Sequence, residues 1–185
     1  MKLQTELVSG AGNTFHIAFE QEKFFPNKES MRSTAVKICR EQPADGFIFL
    51  EHVTQNSPNY RWVFFNNDGS DAEMCGNATR CIGYFLKNTI GSRADAWNLQ
   101  TSAGPIQIES LGNNQFKVIM SAIKSIPSEL GFFCDTGVPH LVIESSDTQL
   151  LNNLNADLKN KAIPLRSHKA FAPKGTNVTF VFLEA

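Results

Sequence analysis

The stretch Asn66-Asn67-Asp68-Gly69-Ser70-Asp71-Ala72-Glu73-Met74-Cys75-Gly76-Asn77-Ala78-Thr79-Arg80-Cys81 concentrates the residues that could do chemistry. It opens with turn formers that tolerate positive φ or hydrogen-bond their own backbone. It then delivers Cys75, Gly76 and Asn77 to the start of a helical pattern. Ala78, Cys81, Ile82, Phe85 and Leu86 recur at i, i+3, i+4, i+7 and i+8, the spacing of one helix face. Lys87 and Asn88 suit the end of that helix, and Gly91 follows. Cys75 is therefore expected at a helix N-terminus, where free backbone N–H groups and the macrodipole favour a thiolate. A thiolate accepts a proton and a thiol donates one, so a cysteine placed there suits acid/base work. Helix-terminus effects are worth about 0.3–1 kcal/mol, up to ~2 kcal/mol in favourable partly buried sites, so a working base needs further donors or a cation. Taken alone, a cysteine at a helix start reads as a small buried residue. Asp-Gly-Ser before it and Gly-Asn after it favour the reactive reading. Cys81, on the apolar face, reads as buried.

The elements that must position this cysteine follow from the rest of the chain. Residues 2–8 read as a short strand entering the turn Ser9-Gly10-Ala11-Gly12-Asn13, where the glycines expose backbone and Asn13 could aim an amide into a site. His16 sits among Ile17, Ala18 and Phe19 and reads as a core histidine on a second strand. Met31, Ala35, Ile38 and Cys39 predict a helix from Asn27 to about Arg40, with Asn27 or Ser30 as its N-cap. Phe47–Leu50 reads as a buried strand forming a hairpin with Tyr60–Phe65. After the Cys75 helix, Trp97–Thr101, Ile106–Ile108 and Phe116–Met120 read as strands separated by turns. Near Ile126-Pro127 a second unit begins, so the domains are expected at 1–119 and 120–185. In it, Phe132–Ile143 reads as strand, turn, strand, with Cys134 inert and His140 either facing a site or bonding the turn. Asp147–Ala162 predicts a helix with Leu150, Leu151, Leu154 and Leu158 on one face. Pro173–Asn177 turns into the strand Val178–Leu183, whose apolar edge raises the expectation of further chain after Ala185.

Composition narrows the function classes. With 185 residues, 42% hydrophobic and 19% charged, the chain suits one sizeable core or two small ones. A net charge of −1, without a polybasic run, gives no footprint for nucleic acid or an anionic membrane. Met1–Leu7 lacks a signal-peptide core, and no stretch approaches the ~20 apolar residues of a membrane helix. The four cysteines fit neither a zinc ribbon nor a disulfide framework, which predicts a reducing, cytoplasmic setting. The expected partner is a small molecule or a second copy of the chain.

Together these motifs resemble the diaminopimelate epimerase family. Gly10-Ala11-Gly12-Asn13-Thr14-Phe15, Ala44-Asp45-Gly46, Asn66–Cys81, Thr101-Ser102-Ala103-Gly104, Gly137-Val138-Pro139-His140 and Gly175-Thr176-Asn177-Val178 match its motifs in order. The cysteine signature is the specific one. The resemblance implies an α+β fold of two similar domains, each a curved antiparallel sheet wrapped around a central helix, the second copy incomplete here. It implies an epimerase that interconverts LL- and meso-diaminopimelate by cysteine two-base proton transfer, with no cofactor and no metal, and with a homodimer as an expected assembly. By position, Cys75 is implied as one acid/base. Gly76 and Asn77 are implied to hold the α-carboxylate through helix-start N–H groups, and Asn13, Asn66 and Asn177 to bind the polar ends of the substrate. Thr14 stands where the family has aspartate, Val138 where many members have a substrate-binding asparagine, and Gly46 where some have glutamine. The Glu-Arg pair and the second cysteine motif, Cys-Gly-Thr-Gly, do not occur in these residues. Other readings are a related pyridoxal-phosphate-independent racemase, or a binding module that keeps half of the site without turnover.

Overall fold

The run Phe47-Ile48-Phe49-Leu50 is almost wholly buried because a helix covers each face of the strand that carries it. The computed structural model describes residues 3–19, 25–53, 59–120, 124–136, 138–146, 157–173 and 175–182. They fall into two units, Met1–Ser121 and Ala122–Ala185. The first unit runs β1 (Glu6–Gly10), β2 (Asn13–Phe19), α1 (Lys28–Glu41), β3 (Gly46–Val53), β4 (Asn59–Asn66), α2 (Gly76–Tyr84), β5 (Ala96–Thr101), β6 (Gly104–Gly112) and β7 (Gln115–Ile119).

These seven strands form one sheet in sequence order. The expected hairpin is present, with β3 and β4 antiparallel from Gly46↔Asn66 to Val53↔Asn59. The sheet is mixed rather than wholly antiparallel, because β2 pairs with β3 and β4 with β5 in parallel. The reason is topological: α1 joins the first pair and α2 the second, and a helical crossover returns the chain in the same direction. The remaining pairs are joined by short turns and are antiparallel.

The two helices occupy opposite faces. α1 starts at Asn27, whose Oδ1 accepts from Ser30 N at 2.9 Å, and its buried residues Met31, Ala35 and Cys39 meet Phe47, Phe49 and Phe65. On the other face α2 buries Ala78, Cys81 and Ile82 against Ile17, Ile48, Leu50, Trp97 and Ile108. It packs on β1 and β2 and also on β6 and β7, so the sheet curls until both of its ends touch one helix. Two glycines permit the approach. A Cβ on Gly10 would lie 2.7 Å from Cys81 Sγ, and one on Gly83 2.7 Å from Phe116 Cδ1 and 2.9 Å from Ile108 Cγ2. Beyond Tyr84 the helix widens into a π-helical turn, Phe85–Thr89.

The second unit holds β8 (Lys124–Ser128), β9 (Gly131–Asp135), β10 (Pro139–Glu144), α3 (Asp157–Arg166) and β11 (Asn177–Val181). Its sheet order is β11-β10-β9-β8, with β10 and β11 parallel. The helix expected from Asp147 lies partly outside the described residues, with Leu150, Leu151 and Leu154. The described part runs on to Arg166 and buries none of its residues. Among the described residues no helix is long and apolar enough to cross a membrane.

Gly83→Ala should destabilise the first unit by about 1–3 kcal/mol, because two packed side chains must yield to one methyl group. Urea unfolding should show a lower midpoint with an unchanged slope; an unchanged midpoint would contradict the close packing of α2 on β6 and β7.

Candidate active site

Cys75 stands at the N-cap of α2 in extended conformation (φ −149°, ψ 119°), half-buried, and its side chain caps nothing. Its carbonyl accepts from Thr79 N and Thr79 Oγ1, both at 2.9 Å, which ties it to the first turn. The amides of Gly76 and Asn77 open the helix and have no carbonyl four residues back within it. A thiol beside unpaired N–H groups is an arrangement that can exchange a proton and hold an anion.

The loop before Cys75 is braced from both sides. Asn66 N donates to Ser70 O, Gly69 N to Asn66 O and Ser70 N to Asp68 Oδ1 at 2.8–2.9 Å, closing a turn in which Gly69 has φ +85°. The Ser70 hydrogen bonds hold the Asp68 carboxyl below the usual carboxylate range. The Asp71 carboxyl is lowered chiefly by its hydrogen bond to Lys28, whose Nζ is 2.9 Å away. Arg32 donates to Gly69 O, so α1 supports the turn. On the far side Ser102 Oγ donates to Glu73 O at 3.1 Å, which links the β5–β6 turn to the residues just before Cys75.

Of the residues expected to bind substrate, the structure joins two. Asn77 Nδ2 donates to Asn13 Oδ1 at 2.8 Å. Asn66 directs an amide N–H to Ser70 Oγ at 2.9 Å, within its own turn. Asn177 begins β11 in the second unit, exposed and in register with His140 of β10. His16 is a core residue as expected, fully buried with Nε2 2.8 Å from Gln42 O.

Two residues at the site have no role in the sequence reading. Asp45 Oδ2 accepts from Asn13 Nδ2 at 3.2 Å and from Thr14 N at 2.8 Å. Arg80 donates to Asn77 Oδ1. Arg80 lies one helical turn after Asn77, so its reach was legible in the spacing. Nothing local signals that Asp45 meets residues 31 and 32 positions earlier. It also answers the departure at Thr14: the main chain and the hydroxyl at this position both turn to Asp45.

The other cysteines are buried. Burial, followed by the charge of Cys75, pushes the Cys81 thiol up to about 11. Burial and then the Asp45 carboxylate raise the Cys39 thiol. Among the described residues no group of three His, Cys, Asp or Glu side chains could hold a metal ion.

A mixed sheet curled around a helix that begins at a half-exposed cysteine places the chain in the racemase and epimerase fold class. A probable proline racemase from Agrobacterium radiobacter K84 superposes with a TM-score of 0.64 at 12% identity, covering 100% of this chain and 68% of the other. Diaminopimelate epimerase from Hydrogenobaculum sp. is 33% identical over 93% of this chain and 67% of its own length. The enzyme of that name from Aquifex aeolicus is 32% identical over 94% and 67%. The diaminopimelate epimerase family profile matches residues 8–125. The chain belongs to the diaminopimelate epimerase family, a family of isomerases, and it spans about two thirds of the length of these relatives.

Iodoacetamide should alkylate Cys75 first in the native protein, with Cys39, Cys81 and Cys134 reacting only after unfolding; peptide mass spectrometry would detect the reverse order. Because the folded Cys81 thiol is raised, the unfolded chain loses this proton first. Stability is therefore full below about pH 9 and should fall as pH rises toward 11. Cys81→Ala should flatten that fall in urea titrations across the same range.

Proposed function

We propose that this chain supplies one acid/base and the carboxylate cradle of a cofactor-independent epimerase that interconverts LL- and meso-diaminopimelate. The observation that carries the reading is Cys75, the half-exposed cysteine at the uncapped start of α2, in a chain of this family. The Cys75 thiolate takes the α-hydrogen as a proton, forming an S–H bond as the C–H bond breaks. The electron pair stays on the α-carbon and spreads into the adjoining carboxylate. Negative charge then grows next to the Gly76 and Asn77 N–H groups, where fixed donors favour it more than they favour the ground state. Return of a proton from the opposite face inverts the centre, and return from Cys75 restores it. One cysteine therefore suffices for proton exchange, and inversion needs a second acid.

Diaminopimelate carries an amino-acid group at each end, so one end must be anchored while the other reacts. Asn13 and Asn66 offer amides for this from the first unit, and Asn177 is assigned to the task by resemblance. The reading gives the protein a place in lysine and peptidoglycan precursor synthesis in the cytoplasm, with a homodimer as its expected assembly.

Incubation with diaminopimelate in deuterium oxide tests the reading. The α-proton signal should fade with time as deuterium enters from Cys75, and Cys75→Ser should slow this by at least about 10²-fold, the low end for a positioned acid/base. Wild-type exchange no faster than that of a folded Cys75→Ser sample would overturn it.

A further inference from the structure

A hydrogen-bonded chain crosses the site in one direction. Arg80 donates to Asn77 Oδ1, Asn77 Nδ2 donates to Asn13 Oδ1 at 2.8 Å, and Asn13 Nδ2 donates to Asp45 Oδ2 at 3.2 Å. Its two ends cannot reverse. A guanidinium has donors only, and an ionised carboxylate has acceptors only. Turning the Asn77 amide over would set its N–H₂ against the Arg80 donors. Turning Asn13 over would set its oxygen against the Asp45 carboxylate. A carboxamide between partners that can both donate and accept can flip without losing bonds, so ends that can only donate or only accept are what select one orientation for both.

Asp45 is itself held in place. Its carboxylate also accepts from Thr14 N at 2.8 Å, its own N–H donates to Thr14 O at 2.9 Å, and its carbonyl accepts from Asn67 N at 3.0 Å. The anchor thus belongs to the turn before β3 and grips both the start of β2 and the loop that leads to Cys75. With each amide bonded on two sides, one N–H of Asn13 and one of Asn77 remain for a ligand, near the free N–H groups of the α2 start. The fixed orientation makes this rim a set of donors, which suits a carboxylate.

We propose that Asp45 and Arg80 are positioning residues that lock the Asn13–Asn77 amide pair in a donor-presenting orientation for the substrate carboxylate. The substrate part of this inference rests on the epimerase reading; the lock itself does not.

The experiment follows the side-chain amide protons of Asn13 and Asn77 by NMR in the full chain, and titrates meso-diaminopimelate into the same samples. In the wild type, one amide proton of each residue should exchange with solvent about tenfold more slowly than its geminal partner, the effect of one hydrogen bond. Asp45→Ala should abolish this difference at Asn77 as well as at Asn13, and Arg80→Met should abolish it at Asn13 as well as at Asn77. Asp45→Asn should restore it, since one amide oxygen can accept from both Asn13 Nδ2 and Thr14 N, as Asp45 Oδ2 does. Arg80→Lys should restore it through a remaining donor, and these two variants keep the test valid if the truncations fail to fold. Equal exchange of the geminal protons in the wild type, or an effect confined to the carboxamide next to the mutation, would overturn the lock. In the deuterium-exchange assay, Asp45→Ala should raise KM about tenfold and leave kcat within about threefold, the pattern of lost uniform binding. A lock that appears by NMR in a wild type with no α-proton exchange would sink the epimerase reading and leave the lock standing; normal KM in the truncations would overturn its role in substrate binding.

Discussion

The enclosure of α2 by both ends of one sheet is the constraint on which the site depends. A seven-stranded sheet has two edges, and here β1 and β7 approach the same helix. Burying an Ile, Leu or Phe side chain contributes about 1.5–3 kcal/mol. Ile82, Phe85 and Leu86 are each at most 4% exposed, so packing along this helix outweighs the 0.3–1 kcal/mol that its terminus contributes electrostatically. Packing therefore decides where Cys75 stands. The approach is close enough that Gly10 and Gly83 have no room for a methyl group.

The site is closed by loops rather than by regular elements, and those loops are tied to one another by polar bonds at the strand ends. Asp45 joins the start of β2 to the loop after β4. Arg32 and Lys28 of α1 hold the Gly69–Asp71 turn, and Ser102 holds Glu73 from the opposite side. The exposed ion pairs among these contribute little stability in water. Their consequence is geometric: the segment from Asn67 to Cys75 is fixed at several points although it belongs to no strand, Asp71 alone bridging Phe65.

Much of this was legible in the sequence wherever the signal was local. The Asn27 cap, the apolar period of α1, the Phe47–Leu50 run and the helix opening at Cys75 each depend on residues within one or two turns of each other, and each is present. The parallel pairs were not legible, since strand direction depends on which helix crosses between strands, and apolar periodicity is silent on direction. The partner of Asn13 was likewise hidden, because Asp45 reaches it across a helix and a strand pairing. Asn66 shows what is legible: its side-chain amide donates to Ser70 Oγ within the turn that Asn-Asn-Asp-Gly-Ser predicts.

Cys75 and Cys81 show how one helix can place two thiols in different surroundings. They are six residues apart, and both precede or join the same apolar stripe. Cys81 falls under Gly10 on the enclosed face, 2% exposed, where no water stabilises a thiolate and its thiol is pushed up to about 11. Cys75 lies one residue before the first helical turn, in the extended backbone of the cap, and packs half-buried against the edge of the same core. Charge on Cys75 raises Cys81 further, so the buried thiol stays protonated. The neutral core thiol is then a packing group that lets β1 come close, and the more exposed thiol stands where the helix has not yet begun.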